Sequence, residues 1–179
     1  NANTMIVQLS NFLRYSLEND PIKRVSLAQE LAALRLYLNI EQTRFGDRLK
    51  LNFDIEPKAN DVMVPSLLLQ PLVENSIKYA IAPMENGGKI SILAKLDGDY
   101  LIVEVSDTGP GVLMSKNDKA AGVGIGLKNT IDRLDTFYGE QYVFQLGTSE
   151  LGGLRIFIRL PLEKQSAESR AVQHLSENN

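Results

Sequence analysis

The chain has no cysteine, so it forms no disulfide and offers no thiolate to a metal, a composition that accords with a reducing cytoplasm. It also lacks any apolar run of the roughly 18 to 20 residues that a bilayer-spanning helix requires, and its first residues lack the basic and apolar regions of a secretory signal. Positive charge is sparse and unclustered: the formal charge is -3, and no Lys/Arg face exists of the kind that a nucleic-acid backbone needs. Histidine occurs once, as His174, in a polar stretch after Glu163 that reads as a tail. What remains, 44% hydrophobic and 23% charged residues among 179, suffices for one globular core with an appendage. The composition thus points to a soluble cytoplasmic piece with no contact to membrane or nucleic acid.

Periodicity organises that material. Ile6, Leu9, Leu13 and Leu17, joined by Phe12, recur at helical spacing and predict an amphipathic helix that ends before Asp20-Pro21. Ser26 followed by Gln29 fits a capping box, and Leu27, Leu31, Leu34 and Leu38 mark a second helix running toward Phe45. Periodicity does not say whether these two stripes face the core or another subunit. Leu49, Leu51, Phe53 and Ile55 alternate with polar residues as a half-buried strand does. A polar turn at Pro57 to Asp61 comes next, then a helix from Pro65 to about Ala82-Pro83, whose first turns Pro71 is expected to bend. Ile90, Ile92, Ala94 and Leu96 should meet Leu101, Val103 and Val105 across an Asp97-Gly98 turn. A helix to about Tyr138 and two strands, near Tyr142 to Leu146 and Leu154 to Leu160, complete the pattern. This order predicts an α+β fold, a two-layer sandwich with a mixed sheet and helices on one face.

Three segments carry chemistry. Gln70 to Ala80 (QPLVENSIKYA) sets Asn75, Lys78 and Tyr79 three and four residues apart, on one helix face. An asparagine amide oxygen there can join a magnesium shell and a lysine can reach a phosphate, although Asn75 can equally be a solvated residue and Glu74 with Lys78 an ordinary ion pair. Asp107 ends a strand just before Thr108-Gly-Pro-Gly111, where its carboxylate can accept the amino proton of a flat base. Alone, an aspartate beside glycines is a turn signal. Gly122, Gly124 and Gly126 then open a helix whose first amides can face an anion. No G-x-x-x-x-G-K-[ST] occurs, and Leu127 stands where G-x-G-x-x-G needs its last glycine, so the Walker and Rossmann motifs are excluded.

In order and spacing the three segments resemble the N, G1 and G2 boxes of the GHKL superfamily of ATPases and kinases. The wording LSNFLRYSL, LAQELAALRLYLNIEQTRFGDRL, PSLLLQPLVENSIKYAI and GVGIGLKNTIDRL resembles, more narrowly, the LytS-like class of sensor histidine kinases. The resemblance implies ATP and Mg2+ as cofactors, with Asn75 the metal ligand and Lys78 beside it in catalysis. It implies Tyr79 lining the nucleotide pocket, Asp107 on the base with Gly109 and Gly111 beside it at the start of the lid, and Gly122, Gly124, Gly126 and Leu127 around the phosphates. The segment VLMSKNDKAA between Gly111 and Gly122 matches the superfamily's lid. Residues 1–45 would be the end of a dimerising helical region, 46–163 the catalytic ATP-binding domain and 164–179 a tail. The family's usual histidine at the end of the first box is Tyr79 here.

Hydrolytic members of the superfamily carry a water-activating glutamate four residues before the metal-binding asparagine; that position is Pro71, so weak hydrolysis is expected. Glu74 lies about 100 degrees around an ideal helix from Asn75. The class passes a phosphoryl group from ATP to an upstream histidine and on to an aspartate of a response regulator receiver domain, within a homodimer. No upstream histidine occurs here, and the chain starts without methionine, so the reading is of a piece cut after the acceptor that binds ATP without phosphorylating itself. The rest of the protein could carry a membrane anchor. Two other readings stay open: a GHKL ATPase or protein kinase of another type, such as an anti-sigma regulator, and a degenerate nucleotide-binding dimerisation module.

Overall fold

Ser26 opens the second helix with a reciprocal cap. In the computed structural model, which describes residues 2–18, 23–111 and 124–163, the Gln29 amide donates to Ser26 Oγ at 3.2 Å and the Ser26 amide donates to Gln29 Oε1 at 3.0 Å. Two of the four unpartnered amides that open any helix are thereby accounted for. The helix so capped, α2 (Leu27–Phe45), buries Leu27, Leu31, Leu34 and Leu38 as its periodicity predicts. Removing one such cap typically costs about 1 kcal/mol. Ser26→Ala is therefore expected to lower unfolding free energy by about that amount, read as a shift of the urea midpoint with an unchanged slope.

Before it, α1 (Ala2–Glu18) runs as one helix against α2. Ile6 and Leu9, at 61% and 43% exposure, do not join the core, so that part of the apolar stripe is unmatched within one chain. Two short strands foreseen by no alternation, β1 (Arg24–Ser26) and β3 (Met63–Pro65), pair antiparallel and tie the start of α2 to the segment leading into the next helix. The Leu27 amide extends this clasp by donating to Val62 O at 2.8 Å.

The main sheet has the order β2-β4-β5-β7-β6, with β2 (Leu49–Ile55), β4 (Gly88–Asp97), β5 (Tyr100–Asp107), β6 (Val143–Thr148) and β7 (Leu154–Pro161). The β2–β4 pair is parallel and all others antiparallel, which makes the sheet mixed. The expected hairpin partners hold: Leu96 faces Leu101, Ala94 faces Val103 and Ile92 faces Val105, with Gly98 at φ 57 in the turn. Ile90, Ile92, Val103, Val105, Ile156 and Ile158 form one inward face and share a core with α2, α3 (Leu69–Ser76) and α4 (Ile125–Tyr138). The opposite face carries Glu104 and Arg155 as a bidentate ion pair, which holds the Glu104 carboxyl below its ordinary range.

Two expectations change, and the place of Pro71 becomes clear. Pro71 stands in the first turn of α3, which starts at Leu69, where a missing backbone amide costs no intrahelical hydrogen bond. The segment from Pro65 to Ala82 is not one regular helix. A π-helical turn spans Ile77–Ile81, closed by the Ala82 amide on Ile77 O at 2.9 Å. Pro57 to Asp61, expected as a turn, is a 3-10 helix.

Candidate functional site

The site is built on α3. Asn75 stands in its last turn, and Lys78 and Tyr79 in the π-helical turn after it. Such a widened turn shifts the helical phase of later residues, and it is frequent at functional sites. Asn75, Lys78 and Tyr79 line one cleft of about 370 Å3 together with Pro71, Glu74 and the start of α4: Gly124, Ile125, Gly126 and Leu127. Lys78 Nζ lies 5.1 Å from the centre of the Tyr79 ring, and Tyr79 is 48% exposed. Glu74 reaches the same cleft despite its angular offset from Asn75, and its Oε1 accepts from Gln70 Nε2 at 2.7 Å.

Across the cleft, Gly124 occupies the N-cap of α4 and makes no side-chain cap. The first amides of any helix lack an intrahelical acceptor, and among the described residues no N-cap side chain serves those of α4. With the axial dipole, that end favours an anion. Gly126 sits close to Pro71, since a Cβ built on it would lie 3.9 Å from Pro71 Cβ. The two helical walls thus approach each other at the first turn of each.

Asp107 is not in that cleft. It is 3% exposed at the end of β5, and its carboxylate is held from three sides. Oδ1 accepts from the amides of Gly109 and Leu154, both at 3.0 Å, and Oδ2 accepts from Ser76 Oγ at 3.0 Å. A carboxylate has about four lone-pair sites, so one site on Oδ2 remains. Ser76 comes directly after Asn75, so α3 offers one side to the cleft and the adjacent side to Asp107. Gly109 is pressed against the same helix: a Cβ there would stand 2.5 Å from Ala80 Cβ and 2.8 Å from Ala80 Cα. Gly111 has φ 78, a backbone angle that glycine adopts freely. Gly122 and the VLMSKNDKAA segment lie outside the described residues, as does His174.

Three participants went unread in the sequence: Ser76, Gly153 and Leu154. Ser76 is adjacent to a motif residue, which is its only local signal. Gly153 belongs to a glycine pair between two strand patterns, which marks a turn but not what it touches. It donates to Asp107 O at 3.1 Å, from 46 positions along the chain, a contact that only the β5–β7 pairing creates.

Residues 60–164 match the family described as histidine kinase-, DNA gyrase B-, and HSP90-like ATPase, and residues 1–49 match one described as histidine kinase. Among curated proteins, sensor histidine kinase YpdA of Escherichia coli is 36% identical over 78% of this chain and 25% of its own length. Sensor histidine kinase YesM of Bacillus subtilis is 33% identical over 90% of this chain and 28% of its own, and sensor protein LytS of Enterococcus faecalis 29% identical over 94% and 30%. The chain thus spans less than a third of the length of these relatives. Among solved structures, the catalytic domain of histidine kinase ThkA superposes with a TM-score of 0.61 at 18% identity, covering 78% of this chain and 96% of that one. Acinetobacter baumannii histidine kinase AdeS gives 0.58 at 15% identity, covering 89% and 77%. At such identities the likeness carries the fold, and the fold is the same mixed sheet with helices on one face. Box order, fold and the match over residues 60–164 agree: the chain belongs to the histidine kinase-, DNA gyrase B-, and HSP90-like ATPase family, and the curated relatives it resembles are sensor histidine kinases, LytS among them.

Proposed function

We propose that this chain binds ATP with Mg2+ and transfers the γ-phosphoryl group to a histidine outside this sequence, from which a response regulator aspartate receives it. One observation supports this most: Asp107 keeps a free acceptor position on Oδ2 while its Ser76 partner lies next to Asn75 on the helix facing the open end of α4. The adenine amino group fits the first, and phosphates with their metal fit the second. Mg2+ commonly takes only one or two protein oxygens, with water and phosphate oxygens completing its octahedron, so a lone asparagine amide suits it. Lys78 neutralises phosphate charge, and Gly124, Gly126 and Leu127 give backbone amides close approach. In the transfer, the bond from the γ-phosphorus to the β,γ-bridging oxygen breaks, a bond to the imidazole nitrogen forms, and ADP leaves. Position 71 is Pro71, which provides no base to activate water. Residues 46–163 then form the nucleotide-binding unit and residues 1–45 the arm toward a dimeric acceptor region.

The test is transfer in trans. Incubated with Mg-ATP and a histidine-bearing dimerisation segment of a relative, the chain should label that segment. Asn75→Ala should reduce labelling by about a hundredfold or more, whereas its metal-free ADP affinity should change by less than about threefold. Equal losses with and without metal would remove the metal role from Asn75.

A further inference from the structure

Glu30 is a glutamate in the first turn of α2, yet it is only 2% exposed, which an ionisable side chain tolerates only when well partnered. Its carboxylate caps a different helix. Oε1 accepts from the Leu67 amide at 2.6 Å, and Oε2 from the amides of Leu68 at 3.1 Å and Leu69 at 3.4 Å. These amides open α3, whose own N-cap position, Leu68, has no side chain able to serve. The box helix thus receives its N-terminal anion from α2, 37 to 39 residues earlier in the chain.

The carbonyls of the same short segment go to a third helix. Arg133 of α4 donates through Nη1 to Leu67 O at 3.2 Å and through Nη2 to Ser66 O. Between these two grips the backbone is forced: Leu67 has φ 58, the one non-glycine residue with positive φ among the described residues. Such a conformation costs a β-carbon residue about 1 to 2 kcal/mol and persists only where surroundings impose it. Burial lowers the Arg133 pKa and the nearby Glu30 opposes that shift.

The position of this knot matters. Leu69 is two residues before Pro71, which lines the cleft, and Arg133 lies two turns from Gly126, on the same face of α4. Thr130, midway along that face, donates back to Gly126 O at 3.0 Å. Both walls of the cleft are therefore anchored at one point, and one of its two grips, Glu30, belongs to α2, the helix that α1 lies against.

We propose that Glu30 and Arg133 are positioning residues for the nucleotide site: through the Ser66–Leu69 segment they fix α3 against α4, so that α2 governs nucleotide affinity without touching nucleotide. This rests on the nucleotide reading above and adds a route by which the α1–α2 arm acts on it.

The experiment titrates ADP and a non-hydrolysable ATP analogue with Mg2+ into the unsubstituted chain, Glu30→Gln, Arg133→Lys and the double variant, well below each melting temperature. Glu30→Gln keeps the volume and one acceptor; Arg133→Lys keeps the charge and loses the fork that spans two carbonyls. Leu160→Val, in the sheet core, serves as a variant that loses stability elsewhere. Each single variant is expected to bind about tenfold more weakly while folded, the double variant no more weakly than the worse single one, and Leu160→Val unchanged. Should Glu30→Gln not fold, Arg133→Lys alone carries the comparison with Leu160→Val. Unchanged affinity in a folded variant reduces the knot to a stability device, and equal weakening in Leu160→Val attributes the loss to general loosening; either overturns the proposal. Failure of the unsubstituted chain to bind either nucleotide is the separate result that removes the nucleotide reading, and this inference with it.

Discussion

Asp107→Asn is expected to weaken ADP binding by about a hundredfold or more, corresponding to roughly 3 kcal/mol, with and without magnesium. The substitution leaves the shape of the residue and changes one atom from acceptor to donor. Which atom changes is fixed by the surroundings, because the Oδ1 position takes two backbone amides, from Gly109 and Leu154. The asparagine oxygen must occupy it, and the NH2 group must replace Oδ2. Ser76 can turn its hydroxyl and accept from that NH2, so the local structure keeps its hydrogen bonds. The adenine amino group cannot do the same, and two donors would face each other.

The same reasoning gives the variant a changed preference. Inosine diphosphate carries a carbonyl where adenine carries its amino group, and a carbonyl suits the new NH2 while it repels the original carboxylate. Asp107→Asn should therefore lose ADP affinity and narrow or reverse the preference for ADP over inosine diphosphate, measured by parallel calorimetric titrations. Equal losses for both bases would mean that Asp107 acts on the fold alone and reads no base edge.

The parts of this molecule that sequence conveys are those in which neighbours in the chain are neighbours in space. Ser26 and Gln29 cap each other across one turn, and Asp97-Gly98 brings Leu96 opposite Leu101, so both are legible as local patterns. Alternation in Leu49 to Ile55 gives the buried face of β2 but says nothing of its direction, and its parallel pairing with β4 is set by the long connection between them. Leu67 is the clearest failure. A leucine carries no sign of left-handed backbone, which here is imposed by Glu30 from one side and Arg133 from the other. The site divides in the same manner: the motif residues of α3, β5 and α4 were named from their order in the chain. That Asn75, Lys78 and Tyr79 share a cleft with Gly124 and Gly126, while Asp107 lies behind them and joins through Ser76, depends on how the sheet stacks on the helices.

The glycines of β6 and of the turn into β7 separate two kinds of requirement. Gly153→Ala is expected to abolish measurable nucleotide binding and to lower the melting temperature sharply. A Cβ on Gly153 would stand 2.3 Å from Asp107 Oδ1, 2.4 Å from Asp107 O and 2.5 Å from Gly109 N. None of these can step aside cheaply: Oδ1 is held by two amides, Asp107 O accepts from Gly153 itself, and Gly109 is already against Ala80. The added carbon must push the carboxylate off Ser76 or part β7 from β5, and overpacking of this kind costs about 1 to 3 kcal/mol or more. Gly152, the preceding residue, has φ 97 with nothing within 4 Å of its virtual Cβ. Gly152→Ala should thus lose about 1 to 2 kcal/mol to backbone strain while retaining ADP affinity in the folded protein. Gly147, in β6, has open space and no positive φ, and Gly147→Ala should leave both quantities close to unsubstituted values. Thermal melts with paired ADP titrations of the three variants distinguish these cases. If Gly153→Ala binds ADP like Gly147→Ala, the carboxylate of Asp107 does not need the position in which three donors hold it, and its assignment to the adenine edge fails.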